Sequence, residues 1–283
     1  MMRMRDDFLL GLTNEDVWEK YFNLEYVLPE FINPIRKEYK ISICTTCMGR
    51  TYDLKKTYVT NLIDNIETYP NTEFVLLNYN SNDDMDDFVK HELSEYIKEG
   101  YLNYYKTIEP KFYSMTHSRN IAFKIASGDI VNNVDADHLT LFGFSKRINE
   151  IANQFDTDKL VFIKSKQTNR GRLGFFKSRF IDDLGGYDES FGSAYGFDDE
   201  DILCRAYHLG FTITKFTGDF CQVVEHHKRH FIDNYPDKDW KYTQRRNALI
   251  SLCNIACKKF KANMNQHWGK AHLIKNFEQE IDI

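Results

Sequence analysis

The chain has little proline, five residues in 283, and no apolar run that approaches the length of a membrane span. The first shortage argues against a proline-rich extended chain; the second excludes a spanning helix, which needs about 18 or more consecutive apolar residues. Positive charge is also scarce. Lys and Arg number 37 against 42 Asp and Glu, a net charge of -5, whereas a dedicated nucleic-acid binder carries a basic excess. No secretory leader is legible either: the N-terminal MMRMRDDFLLGL has basic residues but an apolar stretch of only about five, so a cytoplasmic protein is expected. Cysteine is sparse and scattered. Cys44 and Cys47, with Cys253 and Cys257, have spacings that suit a zinc site, but the preferred reading is free thiols packed as small apolar side chains, Cys253 on an apolar helix face. What is plentiful is aromatic surface, 15% of residues, in a chain long enough to bury a sizeable core.

Residues 1–38 read as a helical extension, with Val17, Tyr21, Leu24 and Leu28 at helix spacing until Pro29 and Pro34. From Ile41 the pattern changes. Ile41–Cys47 is a strand, 53–68 a helix, and Glu73–Tyr79 a nearly continuous apolar strand of the kind buried on both faces. Ser81 caps a helix whose first turn holds Asp83, Asp84, Asp86 and Asp87, carboxylates that suit the positive helix end. Gly100 stops that helix, 101–106 resumes strand, and a helix over 116–126 leads through Ser127-Gly128 into a strand ending at Asp135-Ala136-Asp137. Alternation of this kind implies an α/β fold with a parallel sheet, and ligands then bind beyond the C-terminal strand ends. Asn78-Tyr79-Asn80 and Asp135-Ala136-Asp137 both fall at such ends.

The later half is less regular: short strands at 160–164, 173–177, 211–216 and 220–225, a helix ending near His208, and a helix from Trp240 to about Phe260 with Leu249, Leu252, Ala256 and Phe260 on one side. One domain over 39–235 is expected, with a helical extension at 236–283 packed on it. Lys241, Arg245, Arg246, Lys258, Lys259 and Lys261 make that last helix basic. Its first reading is a solvated face; its second is peripheral contact with an anionic membrane at the inner face.

Two carboxylates on one strand tip are costly unless a cation lies between them, and hard divalent ions take oxygen ligands. Further along, Gly185-Gly186-Tyr187-Asp188-Glu189 precedes Gly196-Phe197-Asp198-Asp199-Glu200-Asp201. Together with Thr45-Thr46-Cys47-Met48-Gly49-Arg50, Ser118-Arg119-Asn120 and the D-x-D, in this order, the chain resembles the metal-dependent glycosyltransferases of GT-A fold, of the family 2 and family 7 (galactosyltransferase-like) type. The resemblance covers roughly residues 40 to 235. It implies a GT-A (nucleotide-diphospho-sugar transferase) fold, a mostly parallel central sheet flanked by helices, and transfer of a Gal, GalNAc, Glc or GlcNAc-type sugar with inversion. The alternative is a non-catalytic sugar-nucleotide or glycan-binding module on the same fold.

Carried over residue by residue, the resemblance implies that Asp135 and Asp137 serve the nucleotide ribose and a Mn2+ or Mg2+ ion, Asp137 the more directly, with His226 or His227 as third ligand. Thr45, Thr46 and Arg50 would border the nucleotide. Asn78 and Asn80 stand where the family often has an acid that reads uracil; this sequence has no acid there, which weakens the case for UDP over another nucleotide, although a UDP-sugar remains the favoured donor. His117 and Arg119 stand where a basic group meets the diphosphate, a task for which a guanidinium fork is suited. Asp199 would be the general base, ionised at neutral pH, with Asp198 orienting the acceptor and Gly196 keeping its turn open beside the sugar. Tyr187, Tyr195 and Trp240 are sugar-platform candidates. The expected acceptor is a glycan or lipid-linked sugar.

Overall fold

The computed structural model describes residues 25–27, 34–164, 173–216, 220, 222–224 and 232–283. Most of the expected N-terminal helix lies outside them, and the described part is a strand, β1 (Glu25–Val27). The parallel core follows: β2 (Ile41–Cys47), α1 (Thr51–Thr68), β3 (Thr72–Tyr79), a helix pair α2 (Met85–Glu92) and α3 (Ser94–Lys98), β4 (Leu102–Thr107), α4 (Met115–Ile125) and β5 (Ile130–Asn133). β2 pairs in parallel with both β3 and β5, and β3 with β4.

Every residue of β2 and β3 is buried. Alternation then decides which side each residue packs on. Ile41, Ile43, Phe74 and Leu76 join Leu54 and Tyr58 of α1 in one cluster, while Cys44, Val75 and Leu77 join Ile121 and Phe123 of α4 in the other. Both faces are thus covered by helices, which is why these strands read as apolar runs. Gly128 makes the α4–β5 turn possible, since a Cβ there would stand 2.4 Å from Ser42 Oγ and 2.8 Å from the Lys40 carbonyl.

Beyond β5 come the short β6 (His138–Leu139), α5 (Phe144–Ala152), β7 (Leu160–Lys164), β8 (Gly174–Phe176) and α6 (Lys177–Asp182). Neither α5 nor α6 was legible as a helix in the sequence. β8 runs antiparallel between β5 and β7. Then follow α7 (Asp198–His208), β9 (Thr212–Phe216), parallel to β7 and β1, and β10 (Gln222–Val223), which pairs with β6.

The C-terminal part departs from the sequence reading. α8 (Trp240–Ala256) is the expected helix, but β11 (His272–Lys275) and β12 (Gln279–Asp282) form a hairpin that joins the central sheet through β11 against β4. The face α8 buries is small and polar, Thr243, Asn247, Ala248 and Ser251, whereas Leu249 is 51% exposed. Cys253 and Cys257 are exposed too, so the apolar-face reading of Cys253 fails. Cys44 and Cys47 are buried free thiols. The acids around α2 also do more than face its dipole. Asp83 accepts from the Thr51 N–H at 2.9 Å and so caps α1, Asp84 pairs with Lys55, and Asp86 accepts from Tyr104 and Lys106.

Candidate active site

At the C-terminal ends of β2 and β5 a cleft of about 340 Å³ is lined by Thr46, Met48, Arg50, Tyr113, Arg119, Asp135, Asp137, His138, Tyr195, Asn234 and Tyr235, among others. The D-x-D loop is held there by backbone contacts. Val134 N–H donates to the Cys44 carbonyl at 2.9 Å, and the Thr45 hydroxyl donates to the Val134 carbonyl at 2.8 Å. From the other side α1 supplies a buried polar stripe: Thr57 donates to the Ala136 carbonyl at 2.7 Å and Asn61 to the His138 carbonyl at 2.8 Å. A loop pinned at one N–H and three carbonyls presents its carboxylates with little freedom.

Asp135, Asp137 and His138 bring one ligand atom each to within 4.8 Å of one another, the group among the described residues that could hold a metal ion. Two carboxylates and an imidazole are a donor set that suits a Mn2+-like divalent ion. His138 was not foreseen; its adjacency to the D-x-D was the available signal. His226 and His227 lie outside the described residues. Val224, two residues before His226, donates its N–H to the Asp137 carbonyl at 2.9 Å.

Arg119 is the centre of the charge arrangement. Only 1% exposed, its guanidinium lies 5.5 Å from the Tyr187 ring centroid and donates to Asp198, to Asp199 at 2.9 Å and to Asp135 at 3.2 Å. The fork expected on a diphosphate is thus engaged with three carboxylates. Burial pushes Asp198 up from the usual carboxylate range and Asp199 well above it, while Arg119 pulls both the other way. The two acids stand behind Arg119, outside the cleft lining. Arg50 donates to Asp137 at 3.0 Å and to Asp53 at 2.8 Å, which sets it against one carboxylate of that cluster.

Other expected residues are used differently. Thr46 and Arg50 line the cleft, but Thr45 faces the Val134 carbonyl. Asn78 is buried and donates to Asp86 and the Tyr104 hydroxyl, and Asn80 donates to the Pro110 carbonyl. His117 bridges the Tyr79 hydroxyl (2.6 Å) and the Lys270 carbonyl (3.0 Å). Gly196, with φ of 88°, backs onto Gln244 of α8. Tyr187 is fully buried beneath Arg119 and is no sugar platform, whereas Tyr195 lines the cleft. Tyr113, Asn234 and Tyr235 were missed, because nothing in their spacing marks loop residues that meet only in three dimensions.

Residues 47–158 match the family described as "Glycosyltransferase like family 2". The chain is a glycosyltransferase, similar over that segment to family 2. Its fold is GT-A, shared with solved structures of low identity. A mannosyltransferase, PcManGT from Pyrobaculum calidifontis, in complex with GDP-Man and Mn2+, is 14% identical, with a TM-score of 0.62 over 89% of this chain and 73% of that one. S. aureus TarS 1-349 with UDP-GlcNAc is 14% identical, with a TM-score of 0.60 over 76% and 67%. GalNAc-T7 with UDP, GalNAc and Mn2+ is 13% identical, with a TM-score of 0.52 over 67% of this chain and 44% of its own. No curated protein matches the chain. The glycosyltransferase is an enzyme of mixed α/β architecture, and among its described residues no helix is long and apolar enough to cross a membrane.

Proposed function

We propose that the glycosyltransferase is metal-dependent and inverting, and moves a hexosyl group of Gal, GalNAc, Glc or GlcNAc type from a nucleoside-diphosphate donor, UDP favoured, to a hydroxyl of a glycan or lipid-linked sugar. The observation that carries this reading is the cleft that exposes the Asp135–Asp137–His138 cluster, with Arg119 linking Asp135 to the Asp198–Asp199 pair behind it. A divalent ion bound by that cluster supplies Lewis-acid stabilisation to a departing diphosphate.

The chain's own residues account for the remainder. Thr46 and Arg50 form the wall beside β2 where the nucleotide would lie. Asp199 accepts the proton of the attacking hydroxyl; burial raises its affinity for that proton and Arg119 opposes the rise. Asp198 shares Arg119 with it and orients the pair. To act, Asp199 must reach the cleft past Arg119. A base on one side of the anomeric carbon and a leaving group on the other give inversion.

The test is release of nucleoside diphosphate from a panel of UDP- and GDP-sugars with Mn2+, with and without EDTA. Expected is release from at least one donor that stops with EDTA and in Asp137→Ala. Binding of donor without any turnover, for every donor and acceptor offered, would instead make the fold a sugar-nucleotide-binding module.

A further inference from the structure

Five aromatic rings run edge to face from the end of β3 to the start of α8. Tyr79 meets Tyr113 at 5.7 Å, Tyr113 meets Tyr235 at 5.7 Å, Tyr235 meets Tyr195 at 5.5 Å, and Tyr195 meets Trp240 at 6.4 Å, all nearly perpendicular. Three of them, Tyr113, Tyr195 and Tyr235, line the cleft, and Trp240 stands at the outer end, 36% exposed.

The phenols differ in a way that points to a ligand. Tyr113 shares a hydrogen bond of 2.6 Å with the Thr46 hydroxyl. Tyr235 is 4% exposed and lines the cleft, yet its hydroxyl makes no hydrogen bond to any described residue. That hydroxyl opens on the cleft, where a bound ligand can take the place of water as its partner. Burial holds the phenol protonated, so it donates as well as accepts. Asp198 and Arg119 are among the charges that act on it, so this inner end of the file lies toward the proposed base.

Resting on the transferase reading above, we infer that Tyr235, Tyr195 and Trp240 form a two-ring acceptor subsite that takes the terminal disaccharide of a glycan. The inner pyranose hydrogen-bonds to the Tyr235 phenol, with the hydroxyl to be glycosylated directed at the acidic pair; the next pyranose lies against Trp240. Aromatic rings suit sugars because a pyranose has an apolar C–H face and a polar edge, and Tyr and Trp combine the same two properties. The Tyr235–Tyr195 and Tyr195–Trp240 steps, 5.5 and 6.4 Å, carry the aromatic surface outward from the cleft to the exposed edge at Trp240. An acceptor read over two rings makes the enzyme one that extends an existing saccharide.

The experiment is saturation-transfer NMR on the full chain with Mn2+ and UDP, using methyl glycosides of common hexoses and N-acetylhexosamines and the corresponding methyl disaccharides. Expected is binding of at least one disaccharide, about tenfold tighter than its terminal monosaccharide. Trp240→Ala should erase that tenfold preference and leave monosaccharide binding. Tyr235→Phe, which keeps the ring and so the packing, should weaken both about tenfold. Far-UV circular dichroism and calorimetric UDP binding check that each variant is folded. If UDP binds but no saccharide does, or if Trp240→Ala leaves the disaccharide preference intact, the subsite is wrong while the transferase reading stands. If no nucleotide binds to the parent chain, the transferase reading is what fails.

Discussion

Arg119 and Arg205 are equally buried, each 1% exposed, and both face acids from the first turn of α7, yet they belong to different parts of the protein's economy. Arg205 donates to Asp201 one helical turn back at 2.8 Å, and to the carbonyls of Leu184 and Gly186 at 2.8 and 2.9 Å. One cation meets one carboxylate, and the Gly185–Gly186 turn is fastened to the helix. Gly186 is needed there: its φ is 77°, and a Cβ would stand 2.6 Å from the Trp268 ring. Arg119, by contrast, meets three carboxylates, and its Nε has no partner. The cleft side of the helix end is left with an excess of negative charge, and the core side is neutral. On the proposed reading the acidic run Asp198–Asp201 is divided between chemistry and fold.

The largest break in this comparison is between Asp199 and Asp201. Asp199→Asn should lower transfer by about 10²–10⁴-fold, the usual worth of a general base, with donor binding unchanged in calorimetry. Asp201→Asn should leave the cleft intact but remove the charge partner of a buried arginine, at about 3–5 kcal/mol, seen as a lower urea midpoint. Equal behaviour of the two variants would show that the run is not divided.

The arginines come next. Arg205→Met should cost stability on the same scale. Arg119→Met should cut transfer by about 10²-fold, on the scale of one preorganised electrostatic contact, and move its pH dependence. Because Arg119 lowers the Asp199 pKa that burial raises, its loss raises that pKa further. The base is then lost at higher pH as the solution is acidified, so the acid limb of the rate profile shifts upward. Arg119→Lys keeps the charge but not the fork, and should restore the limb while transfer stays reduced. An unmoved limb in Arg119→Met would remove Asp199 as the titrating base.

Smaller is the effect expected at His138. His138→Ala removes one of three ligands and should weaken Mn2+ binding about 10- to 100-fold, comparable to the loss of a ligand's support in other metal sites; the check is Mn2+ titration by electron paramagnetic resonance. Unaltered affinity would return the third-ligand role to His226 or His227.

What the sequence made legible follows the same division. Strand β3 could be read because burial on both faces forces an apolar run, and the D-x-D because it falls at a strand end and in a fixed order with the other motifs. The later half was harder. β8 and the β11–β12 hairpin are short and meet partners far away in sequence, so no local period announces them. α8 buries Thr243, Asn247 and Ser251 and exposes Leu249, the reverse of the pattern that marks a helix face. Arg119 was legible as a basic residue near the site, but its three partners come from β5's loop and α7, so its engagement could not be foreseen.

The polar stripe of α1 carries the same split on a smaller scale. Asn61 and Asn65 are both buried, one turn apart, and both reach Thr140, but only Asn61 reaches the His138 carbonyl. Asn61 donates to the His138 carbonyl and accepts from the Thr140 N–H, both at 2.8 Å. Asn65 accepts from the Ser145 N–H at 2.9 Å and so ties down α5, away from the cleft. Replacing either by Ala strands backbone groups at about 1–3 kcal/mol, so the two variants should lose similar stability. Only Asn61→Ala frees the loop that presents Asp137 and His138, and it should weaken Mn2+ binding several-fold where Asn65→Ala does not. Parallel denaturation and Mn2+ titration of the pair separate the outcomes: a matched loss of stability with unmatched metal affinity means the loop's preorganisation is supplied by Asn61, and a matched loss of both means it is a property of the whole helix.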